Sequence, residues 1–128
     1  MAFKTADFDS SILPYKIIHD TALSGSNSGT ATARVDMTNG ESGFLYSMNI
    51  DNKVGNPVFL KMTFTESSIT VGTTNADLMI KVPASTEVTY TMPEGIDFTK
   101  LSMWCVTSGA VAGTTAPANT VLVTLVTS

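Results

Sequence analysis

Polar and apolar residues alternate with a period of two along most of this chain, in short runs that stop at Gly, Pro or Asn. That period sends successive side chains to opposite faces of an extended backbone, so each run predicts a β-strand with one dry face. The segment 30–38, TATARVDMT, shows it well: Ala31, Ala33, Val35 and Met37 fall on one face, and Thr30, Thr32, Arg34, Asp36 and Thr38 on the other. Asn39-Gly40 suits a turn at positive φ, and 44–51, FLYSMNID, reads as the returning hairpin partner. In 57–66, PVFLKMTFTE, Val58, Leu60, Met62 and Phe64 line one face and Phe59, Lys61, Thr63 and Thr65 the other. Pro57 is tolerated as the first residue of such a strand.

Further strands are predicted at 15–23, 78–82, 85–92, 100–107 and 120–127, with Ile69 and Val71 a short strand or an extended connector. Pro83 and Pro93 close the two runs that precede them, and PEGIDFT (93–99) reads as a turn. In 100–107, Leu101, Met103 and Cys105 face one way and Trp104 the other. The last run, TVLVTLVT, is apolar on both faces, as a strand packed on two sides would be. Segments 24–29 and 108–119 are loops of small residues. No window sustains the i, i+3, i+4, i+7 spacing of a helix. About eight or nine short strands predict an all-β fold, a two-sheet antiparallel β-sandwich, jelly-roll-like in preference to immunoglobulin-like.

Residues 1–13, MAFKTADFDSSIL, break the pattern. Phe3, Phe8, Ile12 and Leu13 are spaced irregularly among polar residues, so the segment reads as an N-terminal arm and not a strand. It is either a loosely held terminus or an arm that docks its apolar side chains on a neighbouring subunit. The chain then divides into the arm, 1–13, and a single sandwich domain, 14–128. Those four apolar residues are the candidate interface with a neighbouring subunit.

Composition narrows the function classes. The chain has 128 residues, 43% hydrophobic and 14% charged, with a net charge of −4. Its seven basic residues are scattered from Lys4 to Lys100, whereas phosphate contacts need clustered Lys and Arg, so neither nucleic acid nor a membrane surface is an expected partner. Cys105 is the sole cysteine, which rules out an intrachain disulfide. No signal peptide is visible over Met1–Ser11 and no run approaches a membrane span, so folding in a cytoplasm is expected.

Candidate chemistry is sparse. His19 and Asp20 are adjacent, and neighbours on a strand face opposite ways, so they do not form a base and its orienting carboxylate. Each reads as a surface or half-buried strand residue. Cys105 reads as a small buried apolar residue. Trp104 is a packed residue of the second sheet or, less simply, a platform for a sugar ring. Glu94 and Asp97 share a turn but lack the spacing of a calcium loop. There is no P-loop and no nucleophile elbow. The expectation is a protein with no catalytic residues, no cofactor and no metal, and not an enzyme.

Residues 57–126 resemble a group of small β proteins encoded among the virion genes of tailed bacteriophages, many of them marine or cyanobacterial phages. The shared pieces are VGTT (71–74) with a following carboxylate, VPAST (82–86), PEGIDF (93–98) with the LS that follows, and GTTAP (113–117) before a β-branched final strand. The resemblance implies a phage virion structural protein, most simply a capsid decoration or cement protein that clamps major capsid subunits on the outer shell. A tail or fibre component, or a carbohydrate-binding module, is the alternative. The implied partners are the major capsid protein and other copies of the chain. The implied location is the capsid surface, after synthesis in the host bacterial cytoplasm.

Overall fold

The alternation of the sequence becomes eight β-strands in the structure, a computed structural model that describes residues 15–21, 23 and 29–128 and the backbone of residues 3–7. They are β1 (Phe3–Asp7), β2 (Lys16–Asp20), β3 (Gly43–Asn52), β4 (Val58–Thr63), β5 (Leu78–Val82), β6 (Glu87–Phe98), β7 (Ser102–Val106) and β8 (Val121–Thr127). No helix occurs among the described residues. Every pairing is antiparallel, in a five-stranded sheet of order β1-β2-β8-β3-β6 and a three-stranded sheet of order β5-β4-β7. The two sheets face each other as a β-sandwich.

The segment 30–37 lies beside β7 in the place of a fourth strand, bonded through Arg34 N–H to Met103 O (2.8 Å) and Met103 N–H to Arg34 O (2.9 Å). With it, the smaller sheet runs 30–37, β7, β4, β5, opposite β2, β8, β3, β6. That winding of paired antiparallel strands is the jelly-roll arrangement of two Greek keys. The segment is not the regular strand expected, and β3 pairs with β6 and β8, not with it. Asp36 adopts φ 48°, which resets the alternation. Ala31 and Ala33 therefore pack outside the smaller sheet, Arg34 turns inward, Val35 is exposed and Met37 enters the core.

Two apolar clusters hold the layers. The larger lies between the sheets and takes Leu45, Met48 and Ile50 from β3, Val58, Leu60 and Met62 from β4, and Leu101, Met103 and Cys105 around β7. The smaller lies on the outer face of the three-stranded sheet, where Trp104, Val106, Ala31 and Ala116 pack with Phe59, Ile69 and Val71 beneath the connecting loops. The opposed faces expected for 57–66 and for 100–107 are those observed. Because loops cover the smaller sheet, β7 is buried on both faces. The strand expected to be covered twice, β8, instead alternates buried and half-buried residues, since no loop layer covers its outer face.

Two further expectations are corrected. Residues 1–13 read as an arm without a strand, but Phe3–Asp7 extend the larger sheet as β1. Of the two readings for Ile69 and Val71, the extended connector is the one observed. Pro93 does not close a strand: β6 continues to Phe98 through a bulge that sets residues 92–95 against Tyr46. Pro is compatible with β6 because it is an edge strand. Gly95 makes the bulge possible, at φ 78° and so close to Phe44 and Tyr46 that a Cβ would lie 2.8 Å from Phe44 Cβ.

Candidate interaction surface

Of the four proposed interface residues, Phe3 lies on β1, at the outer edge of the larger sheet opposite Asp20. Phe8, Ile12 and Leu13 lie outside the described residues. Trp104 is 1% exposed, which leaves no ring face for a sugar. The adjacent pair separates as alternation requires: His19 Nδ1 lies 2.7 Å from Thr124 Oγ1, while Asp20 points inward.

Asp20 is nevertheless fully buried, where a surface or half-buried residue was expected, and it meets Arg34 with Nε 2.6 Å from Oδ2. This ion pair ties β2 to the segment 30–37. Neither position announced it: Arg34 fell on the polar face of 30–38, and Asp20 read as a surface or half-buried strand residue.

Among the described residues, no three His, Cys, Asp or Glu side chains converge as a metal-ligand set. Glu94 and Asp97 both lie on β6, where Asp97 pairs across to Phe44. Lys61 is covered by loops and donates to Ala110 O at 2.7 Å, and burial holds its pKa below the ordinary lysine value.

Burial pushes the Cys105 thiol from 9.0 up to about 12. An unfolded thiol ionises above about pH 9 while the folded one keeps its proton, so this group's contribution is intact below pH 9. It is lost on the way to pH 12, at about 1.4 kcal/mol per pH unit. Lys61 has the opposite sign, because its folded form sheds its proton before its unfolded form does; part of the alkaline loss is offset there. The native protein is expected to leave a thiol reagent unreacted near pH 8 and to yield one thiol after unfolding. A urea midpoint that falls above about pH 9, and falls less in Cys105→Ala, checks the linkage.

The features left on the surface are apolar. On the outer face of the larger sheet, Tyr15 meets Tyr46 edge-on with ring centroids 5.6 Å apart, and Phe44 lies 6.3 Å from Tyr46 at 31°. Tyr15 and Phe44 are exposed, and Lys16 and Glu41 form an ion pair near the start of the same sheet. On the flank where β5 lies over β6, a hollow of about 370 Å³ opens between the sheets, lined by Met48, Leu78, Ile80, Tyr90, Met92 and Ile96 among others. It meets a second hollow through Met92 and Ile96, which ends at Pro93, Glu94 and Gly95. No protein-family model, curated protein or solved structure matches the chain.

Proposed function

We propose that this chain is a structural protein of a tailed-phage particle that works by binding and not by catalysis, most simply as a decoration or cement protein on the outer capsid. The observation that carries the binding reading is the surface itself: exposed Tyr15, Phe44, Met79 and Tyr90 gather on two faces of a closed sandwich whose cysteine is buried and whose histidine is held by a threonine. The resemblance of residues 57–126 to virion proteins turns that reading toward a phage shell. Repetition around a shell makes weak individual contacts sufficient, because each bound copy raises the effective concentration of the next contact.

The aromatic cluster favours one second reading, a tail or fibre module that stacks a glycan. The rings fit it poorly, since Tyr15 stands at 85° to Tyr46 and offers an edge where a sugar needs a flat platform. Images of particles made with and without the chain separate the readings. A shell-wide lattice of density that vanishes with the chain is expected; density confined to the tail, or particles that never contain the chain, contradicts it.

A further inference from the structure

The outer face of the smaller sheet is covered unevenly. The register sets Trp104 on β7, Lys61 on β4 and Met79 on β5 side by side on that face. Trp104 is sealed beneath the loops, while Met79 at the other side is exposed. Lys61 stands where the cover gives out. A hollow of about 190 Å³ opens there, between residues 74–76 of the connector after β4 and Gly109 and Val111 of the loop before β8. That volume is well above what one water needs.

Lys61 is 3% exposed, and its ammonium spends one of its three donors, on Ala110 O at 2.7 Å. Ala110 lies between Gly109 and Val111, so the charged end of the side chain is at the wall of the hollow. Among the described residues, Lys61 forms no ion pair and no acidic side chain lines the hollow. Burial alone lowers its pKa. Arg34, the other cation held inside loops or layers, has the carboxylate of Asp20 against it. A covered charge ordinarily has such a partner, and at Lys61 the place for it is open. Neutral donors stand beside that place. Thr74 Oγ1 accepts the Thr70 N–H at 2.8 Å and keeps its own proton to donate. Asn75, exposed at the rim, adds a carboxamide.

We propose that this hollow is a carboxylate site: it takes one carboxylate on a short apolar stem, which pairs with the Lys61 ammonium while the stem lies against Met79 and Val111. Thr74 and Asn75 donate to the oxygens that the ammonium leaves unpaired. One cation with neutral donors matches a single negative charge. A phosphate, more highly charged, is ordinarily held by clustered cations or by a row of backbone N–H groups at a helix start. An acidic side chain of a bound partner and a free small carboxylic acid share the proposed chemistry. The inference deepens the binding reading, on which it rests only for the source of the carboxylate.

The test uses purified protein, so its failure is distinct from absence of the chain from particles. Sodium butyrate, butyramide and a blocked Gly-Glu-Gly peptide are titrated at constant ionic strength, and backbone amide shifts are followed by NMR. Butyrate or the peptide is expected to saturate with a Kd of about 10 mM or below, moving the amides of Asn75, Gly109 and Val111. Neutral butyramide should move none of them. Tighter binding of butyrate assigns the site to a free acid, and tighter binding of the peptide to a partner's side chain. Lys61→Met should abolish the response. Val111→Asp, at an exposed loop position, sets a competing carboxylate at the mouth and should weaken binding at least about tenfold, which keeps the test decisive if Lys61→Met does not fold. Val35→Asp, exposed on another face, should leave binding unchanged. Circular dichroism of each variant verifies that the fold is retained. The proposal is overturned by a lack of saturable response to both carboxylates, by butyramide acting as well as butyrate, or by binding that survives Lys61→Met or Val111→Asp unchanged.

Discussion

Trp104→Ala is expected to remove about 3–5 kcal/mol of folding stability, the largest loss from any single side chain among the described residues. Trp104 is 1% exposed and is the largest fully buried side chain. It roofs the smaller sheet and holds Ala31, Ala116 and the connector carrying Ile69 and Val71 against that sheet. Removing the indole leaves a cavity under the loops that carry Ala31, Ala116, Ile69 and Val71. Against the roughly 5–15 kcal/mol that stabilises a typical domain, this brings the protein close to unfolding at physiological temperature. Urea unfolding followed by circular dichroism measures it. A loss below about 1 kcal/mol would mean that Trp104 is not sealed under the loops.

Arg34→Met is expected to cost about 3 kcal/mol, at the lower end for breaking a buried ion pair because the Arg34 side chain keeps 13% exposure. The cost comes mainly from Asp20, which is 0% exposed and would lose the guanidinium at 2.6 Å. Replacing both members, as Asp20→Asn with Arg34→Met, should recover most of the loss, since an absent pair costs less than a stranded charge. Equal losses in the single and double variants would show that Arg34 acts through packing alone. The pair matters structurally because the segment 30–37 has few ladder bonds of its own, so this contact helps keep the edge of β7 covered.

The layers of the fold were legible in the sequence where strands are regular. Leu60 and Met62 against Phe59, and Met103 and Cys105 against Trp104, sort to opposite faces by simple alternation, and both sorts are observed. The alternation failed where the backbone leaves the extended region. At Asp36 a positive φ shifted the phase, which hid the inward turn of Arg34. At Pro93 the chain passed through a bulge and continued, because an edge strand tolerates a missing N–H donor. Burial of β7 on both faces depends on loops distant in sequence, and nothing in SMWCV distinguishes a loop roof from a second sheet.

The interaction surface was less legible. Met79, Tyr90 and Met92 read as ordinary strand residues, and Ile96 as part of a turn. They line one hollow only because β5 lies over β6, and strand order is not encoded in strand pattern. The apolar arm residues drew attention by composition instead. Of those, only Phe3 has a described position, on a strand edge at the other end of the larger sheet from β6.

Amide hydrogen exchange, with and without purified phage particles that lack the chain, tests the central claim most directly: a closed sandwich proposed to work by binding a particle through its exposed apolar residues. The account predicts slow exchange in β3, β4, β7 and β8 throughout. Amides around Tyr15 and Phe44 or around Tyr90 should exchange faster in isolation than on the particle. No added protection anywhere with particles in excess would contradict it.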